Sequence, residues 1–92
     1  MERSIRVVDD HGNVYFADIY KDYVGYRHQT SGQAVRCLQA LLNEIGYHLD
    51  VDGIFGSRTH SAIINFQQKH GLPVDATVGP NTWKRMLQAD GF

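Results

Sequence analysis

One cysteine and two prolines occur in 92 residues, and nine Lys and Arg are set against ten Asp and Glu. A lone thiol, Cys37, excludes an intramolecular disulfide, so packing must hold the fold, and Cys37 is expected as a small buried apolar residue. The net charge of −1 leaves no basic surplus for the counterion release that drives nucleic-acid binding, so no nucleic-acid partner is expected. No apolar run exceeds a few residues, and Met1-Glu2-Arg3-Ser4 leads into an alternating segment. Neither membrane insertion nor a signal peptide is therefore expected of this chain. The length suits one modest core.

What is present falls into two parts, residues 1–31 and 32–92. In the first, Ile5 and Val7 alternate with Arg6 and Val8, Asp10-His11-Gly12-Asn13 offers turn chemistry, and Val14 to Tyr20 is β-branched and aromatic. This predicts a β-hairpin over residues 4–20. Lys21 to Gln29 is polar and aromatic without periodicity, and reads as a connector across the surface. From Gly32 the period changes: Val35, Leu38, Leu41, Leu42 and Ile45 form an amphipathic stripe ended by Gly46. A second helix runs from Ser57, with Ala62, Ile63 and Phe66 on one face, to His70-Gly71-Leu72-Pro73, a stop signal of glycine, apolar residue and proline. A third begins at Gly79-Pro80 and carries Trp83, Met86 and Leu87 inward. The fold class is therefore mainly α, a three-helix orthogonal bundle with an N-terminal β-hairpin extension. VDGIFGSRTHSAI and VDATVGPNTWKRM repeat one loop-into-helix unit, pairing Asp52 with Asp75, Gly56 with Gly79 and Thr59 with Thr82, each 23 positions apart. A weaker echo pairs Gln39 with Gln67.

Gly32-x-x-Val35-x-x-Leu38-Gln39-x-x-Leu42, Gly46-Tyr47, Asp52-Gly53-x-Phe55-Gly56-x-x-Thr59, Phe66-Gln67, Gly71-Leu72 and Val78-Gly79-x-x-Thr82-Trp83 occur in order from Gly32 to Leu87. The pattern resembles the three-helix peptidoglycan-binding domain found in wall hydrolases and phage endolysins. The resemblance implies a bundle of that type and a targeting module for bacterial cell wall. Ala76 and Val78 stand where the second loop would mirror Gly53 and Phe55, so that loop is expected to close differently and the first to be the binding site. Residues 1–31 have no counterpart in the pattern, and what the hairpin docks against is left open.

Peptidoglycan offers pyranose faces, N-acetyl groups, a lactyl carboxylate and stem peptides, so its binder needs aromatic surface, hydrogen-bonding groups and donors for carboxylate. The candidate ligand-binding residues are Gln39, Tyr47, Asp52, Phe55, Gly56, Arg58, Thr59, Gln67 and Trp83. Arg58 suits a stem-peptide carboxylate, and backbone N–H groups near Gly56 favour anions. Each has a structural alternative. Phe55 is a natural plug for the bundle, and Asp52 with Thr59 suits a local loop-to-helix hydrogen-bond set. Gln39 and Gln67 either satisfy loop backbone or face a groove. Trp83 at helical spacing reads as core with one ring edge exposed. Asp50-x-Asp52-Gly53 opens like a calcium loop, yet its sixth position is Phe55 and its twelfth Ser61, where glycine and glutamate are required. The five histidines lack paired ligand spacing, so no metal or cofactor is expected. Cys37 beside Leu38, with no oxyanion-hole motif, argues against an enzyme.

The expected function is thus non-catalytic binding of a peptidoglycan glycan strand or stem peptide, anchoring an associated protein at the wall or on a virion. The alternative is a structural subunit of a virion or secretion device, with a protein partner or self-association through residues 4–20. A helix-turn-helix reading of the three helices is opposed by the charge balance.

Overall fold

A computed structural model describes residues 3–91; Met1, Glu2 and Phe92, and with them the reading of the leading Met1-Glu2, lie outside the described residues. The element order is β1 (Ser4–Val8), β2 (Val14–Asp18), α1 (Gln33–Ile45), α2 (Ser57–Lys69) and α3 (Pro80–Ala89). β1 and β2 pair antiparallel, with Ile5 opposite Ala17 and Val7 opposite Tyr15. The strand period of two sends these four side chains inward, while Arg6, Val8, Val14 and Phe16 face outward. The turn is organised by Asp9, one residue before the expected segment. Its carboxylate accepts from the His11 and Asn13 N–H groups, each at 2.9 Å, and from the Tyr15 hydroxyl at 3.0 Å.

The hairpin docks on α1. That helix is consequently buried on more sides than a single apolar stripe implies: Ala34, Cys37 and Ala40 are buried along with Val35, Leu38, Leu41 and Leu42. Ile5, Val7, Tyr15, Ala17 and Ile19 join the helical side chains in one core. Gly46 takes φ +126° after α1, and the Tyr47 N–H returns to the Leu42 carbonyl at 3.0 Å. The expected stop after α2 forms in full: Gly71 takes φ +68° and the Leu72 N–H reaches the Gln67 carbonyl at 2.9 Å.

Residues 21–29 cross the surface as expected, with Lys21, Tyr23, Tyr26, Arg27 and His28 exposed, but they are also stitched into the body. Val24 is fully buried and exchanges two backbone hydrogen bonds with Val78, at 3.1 and 2.8 Å. The Thr30 carbonyl accepts from the Phe55 N–H at 2.8 Å, and the Gly32 N–H donates to the Gly53 carbonyl at 3.0 Å. One stretch of chain thereby fastens both loops of the repeat. Asp22 anchors it: its carboxylate accepts from the Asp18 N–H at 2.7 Å and from the Gln29 side chain at 2.8 Å. Its carbonyl receives the Trp83 indole N–H at 2.8 Å.

Candidate functional site

The loop before α2 is built around a buried amide. Gln39, 1% exposed, projects from α1, and its Nε2 donates to Asp52 Oδ1 (3.0 Å), the Ile54 carbonyl (3.0 Å) and Thr59 Oγ1 (3.2 Å). Its Oε1 accepts from the Gly53 N–H at 2.9 Å. Asp52 Oδ1 also accepts from the Ile54 N–H at 2.9 Å. That backbone donor, followed by the Gln39 amide, holds the Asp52 carboxyl below the usual carboxylate range. A buried amide left unpaired would cost more than each of these bonds returns, so the set is satisfied as a whole or the loop opens.

The loop before α3 repeats this geometry. Gln67 Nε2 donates to Asp75 Oδ1 (3.0 Å), the Thr77 carbonyl (3.1 Å) and Thr82 Oγ1 (3.4 Å), and its Oε1 accepts from the Ala76 N–H at 3.0 Å. The caps agree as well: Gly56 has φ −109° and ψ −168°, Gly79 has φ −107° and ψ −167°. The expectation that the second loop closes differently is corrected here. Closure is carried by the glutamine amide and the aspartate carboxylate, which act on backbone groups and tolerate Ala76 and Val78. What the second loop bears instead is strain, since Ala76 takes φ +59° where Gly53 takes +74°. Ala76→Gly is expected to raise stability by up to about 1 kcal/mol, the relief of the left-handed alanine being partly offset by the extra freedom of unfolded glycine. Chemical denaturation of both proteins measures it.

A cleft of about 270 Å³ opens beside the first loop. Gln39, Asp52, Gly56, Arg58 and Thr59 line it, together with Asp50, Ile54 and Ser57, which are not among the candidate ligand-binding residues of the sequence. Arg58 is exposed in the first turn of α2 and makes no hydrogen bond or ion pair among the described residues. Ile54 is 60% exposed and gives the cleft an apolar lip. The chemistry available is therefore one free guanidinium, two carboxylates and a small apolar surface.

The other candidates lie elsewhere. Tyr47 is not among the lining residues; it is half-buried, and its hydroxyl donates to Asn65 Oδ1 at 2.6 Å. Phe55 is buried beneath Tyr26, ring edge to ring face at 5.1 Å, with His60 beside Tyr26 at 5.1 Å. Gln67, on α2, is turned into the second loop. Trp83 is fully buried with no exposed ring edge, a correction that follows from the docking of residues 22–24 over it. Cys37 is buried, which pushes its thiol up to about 12 and leaves no thiolate at neutral pH.

Comparison with known proteins agrees with this geometry. The family model described as "Putative peptidoglycan binding domain" matches residues 31–86. A spore cortex-lytic enzyme of Bacillus cereus is 43% identical over 63 residues, which is 67% of this chain and 24% of that enzyme. A peptidoglycan-binding protein from Clostridioides difficile, solved in complex with glutamine hydroxamate, superposes with a TM-score of 0.80 at 29% identity. The match covers 96% of this chain, hairpin included, and 53% of that one. The Burkholderia AP3 phage endolysin superposes with a TM-score of 0.59 at 31% identity, covering 91% of this chain and 24% of that one. The chain thus spans about a quarter of the cortex-lytic enzyme and of the endolysin. With its duplicated loop, its glycine caps and its match over residues 31–86, the chain belongs to the family of peptidoglycan-binding domains.

Proposed function

We propose that the chain attaches to peptidoglycan without catalysis, through the first cleft, and so holds whatever it is joined to at the wall. The observation that carries this reading is the partnerless Arg58 guanidinium at the rim of a cleft whose floor the Gln39 network holds rigid. A stem peptide presents a carboxylate that such a guanidinium pairs with, while the Gly56 end of α2 adds oriented N–H groups. Asp50 and Asp52 accept from amides and hydroxyls along the same ligand. Single-site affinity of this kind is weak and gains its use through tethering.

The test is co-sedimentation with insoluble sacculi. Arg58→Ala removes one charge-assisted contact, worth about 1.5–3 kcal/mol, so binding is expected to weaken roughly tenfold to a hundredfold while the folded signal is unchanged. Tyr47→Ala is the comparison: loss in that variant with Arg58→Ala unaffected moves the site to the end of α1. Failure of the folded parent to sediment with sacculi of any stem-peptide chemistry removes the reading.

A second reading is favoured by the outer face of the hairpin, where Phe16 is 54% exposed with Val8 and Val14 beside the turn. Such a face suits a protein partner or a second copy, as an assembly subunit requires. A defined oligomer in solution that disperses on Phe16→Glu supports it; a monomer at all concentrations counts against self-association.

A further inference from the structure

The duplicated framework leaves a second cleft, of about 200 Å³, at the N-terminus of α3. Its lining residues Asp75, Thr77, Gly79 and Asn81 lie 23 positions beyond Asp52, Ile54, Gly56 and Arg58 of the first. The frames are alike and the rims are not. Asn81 takes the place of Arg58 and Pro73 that of Asp50, so among the described residues no cation lines the second cleft and Asp75 is its one charged group. A carboxylate ligand would find no counter-charge there and one repelling oxygen.

In exchange the second cleft has an aromatic wall. Tyr23, from the segment that crosses both loops, lies so close to Gly79 that a Cβ there would meet its ring at 2.9 Å. The ring is also held by His28, with centroids 5.5 Å apart, yet Tyr23 remains 40% exposed. Pro73 and Pro80 extend the apolar surface. Asp75 Oδ1 is taken by Gln67 and the Thr77 N–H, while its second oxygen and the Asn81 amide have no partner among the described residues. A ring face bordered by one free acceptor and one free amide suits a ligand with an apolar face, hydroxyls and an amide, and without charge.

We propose that this second cleft binds the uncharged sugar of the glycan strand, an N-acetylated pyranose. Its ring stacks on Tyr23, and Asp75 and Asn81 take its hydroxyl and acetamido groups. The inference rests on the peptidoglycan reading and divides the polymer between the clefts, charged part to the first and neutral part to the second.

The experiment titrates the isotope-labelled chain with a neutral tetramer of β-linked N-acetylglucosamine and follows backbone amide shifts. Shifts are expected at Tyr23, at 75–79 and at Asn81. Asn81→Ala, an exposed change that leaves the loop network untouched, and Tyr23→Ala should each weaken binding at least fivefold, with Arg58→Ala unchanged. Tetramer shifts confined to the first cleft, or none from a chain that still sediments with sacculi, overturn the second site and leave wall attachment standing. Absence of both tetramer and sacculus binding overturns the two together.

Discussion

Trp83→Ala is expected to lower stability by about 3–5 kcal/mol, the usual range for removing a fully buried large aromatic side chain. The indole is completely covered, and its N–H satisfies the Asp22 carbonyl at 2.8 Å. Alanine would therefore leave a cavity and an unpaired buried carbonyl, and would loosen the segment that fastens both loops. A domain of this size has about 5–15 kcal/mol in total, so much of the margin goes. Thermal unfolding should show a fall of more than about 10 °C. Trp83→Phe separates the two effects: it keeps most of the volume and loses the hydrogen bond, with an expected cost nearer 1–2 kcal/mol. Equal losses in both variants would mean that the hydrogen bond, not the packing, carries the segment.

Gln39→Leu should cost about 2–4 kcal/mol although it fills nearly the same space. The substitution strands the Gly53 N–H and the Ile54 carbonyl, which depend on the amide, and deprives Asp52 and Thr59 of a donor. Because these groups floor the first cleft, sacculus binding should fall with stability even where the protein stays folded. Gln67→Leu is the internal control. It should cost a similar amount, since its network is the same, but leave attachment through the first cleft intact. A Gln67→Leu variant in which adding Arg58→Ala causes no further loss of sacculus binding would show that the clefts do not act separately.

Much of the fold was legible because helical periodicity is a local signal. Val35, Leu38 and Leu42, the stop at Gly71 and the repeat spacing of 23 all lie within short windows. The part played by residues 21–29 was not legible, because its partners are distant: Val24 meets Val78, and Asp22 meets Trp83, 61 positions away. No periodicity marks a segment whose fit depends on one buried valine and one backbone carbonyl. For the same reason the helical spacing of Trp83 does not reveal that its second edge is covered. Gln39 and Gln67 leave both roles open in the sequence, because an amide after a core residue looks the same whether it turns in or out. Closure of the second loop is governed by Gln67, Asp75 and Thr82, not by Ala76 and Val78, where the two loops differ most visibly in sequence. Of the candidate site, Gln39, Asp52, Gly56, Arg58 and Thr59 could be named from the sequence. Asp50, Ile54 and Ser57 needed the cleft to be seen, and Tyr23 needed the connector to be in place.

The pairing of residues 22–24 with residues 78 and 83 also bears on how the chain is made. During synthesis the hairpin and α1 emerge before α2 and α3, with local contacts sufficient to begin forming. Val24 and the Asp22 carbonyl then wait for partners in the last fifth of the sequence, so the body cannot lock until α3 has been added. Closure between such remote segments comes late and joins all parts at once. A nascent chain halted before α3 leaves the Asp22 carbonyl without the Trp83 indole and the second loop without Thr82, so the surface beside that loop forms last.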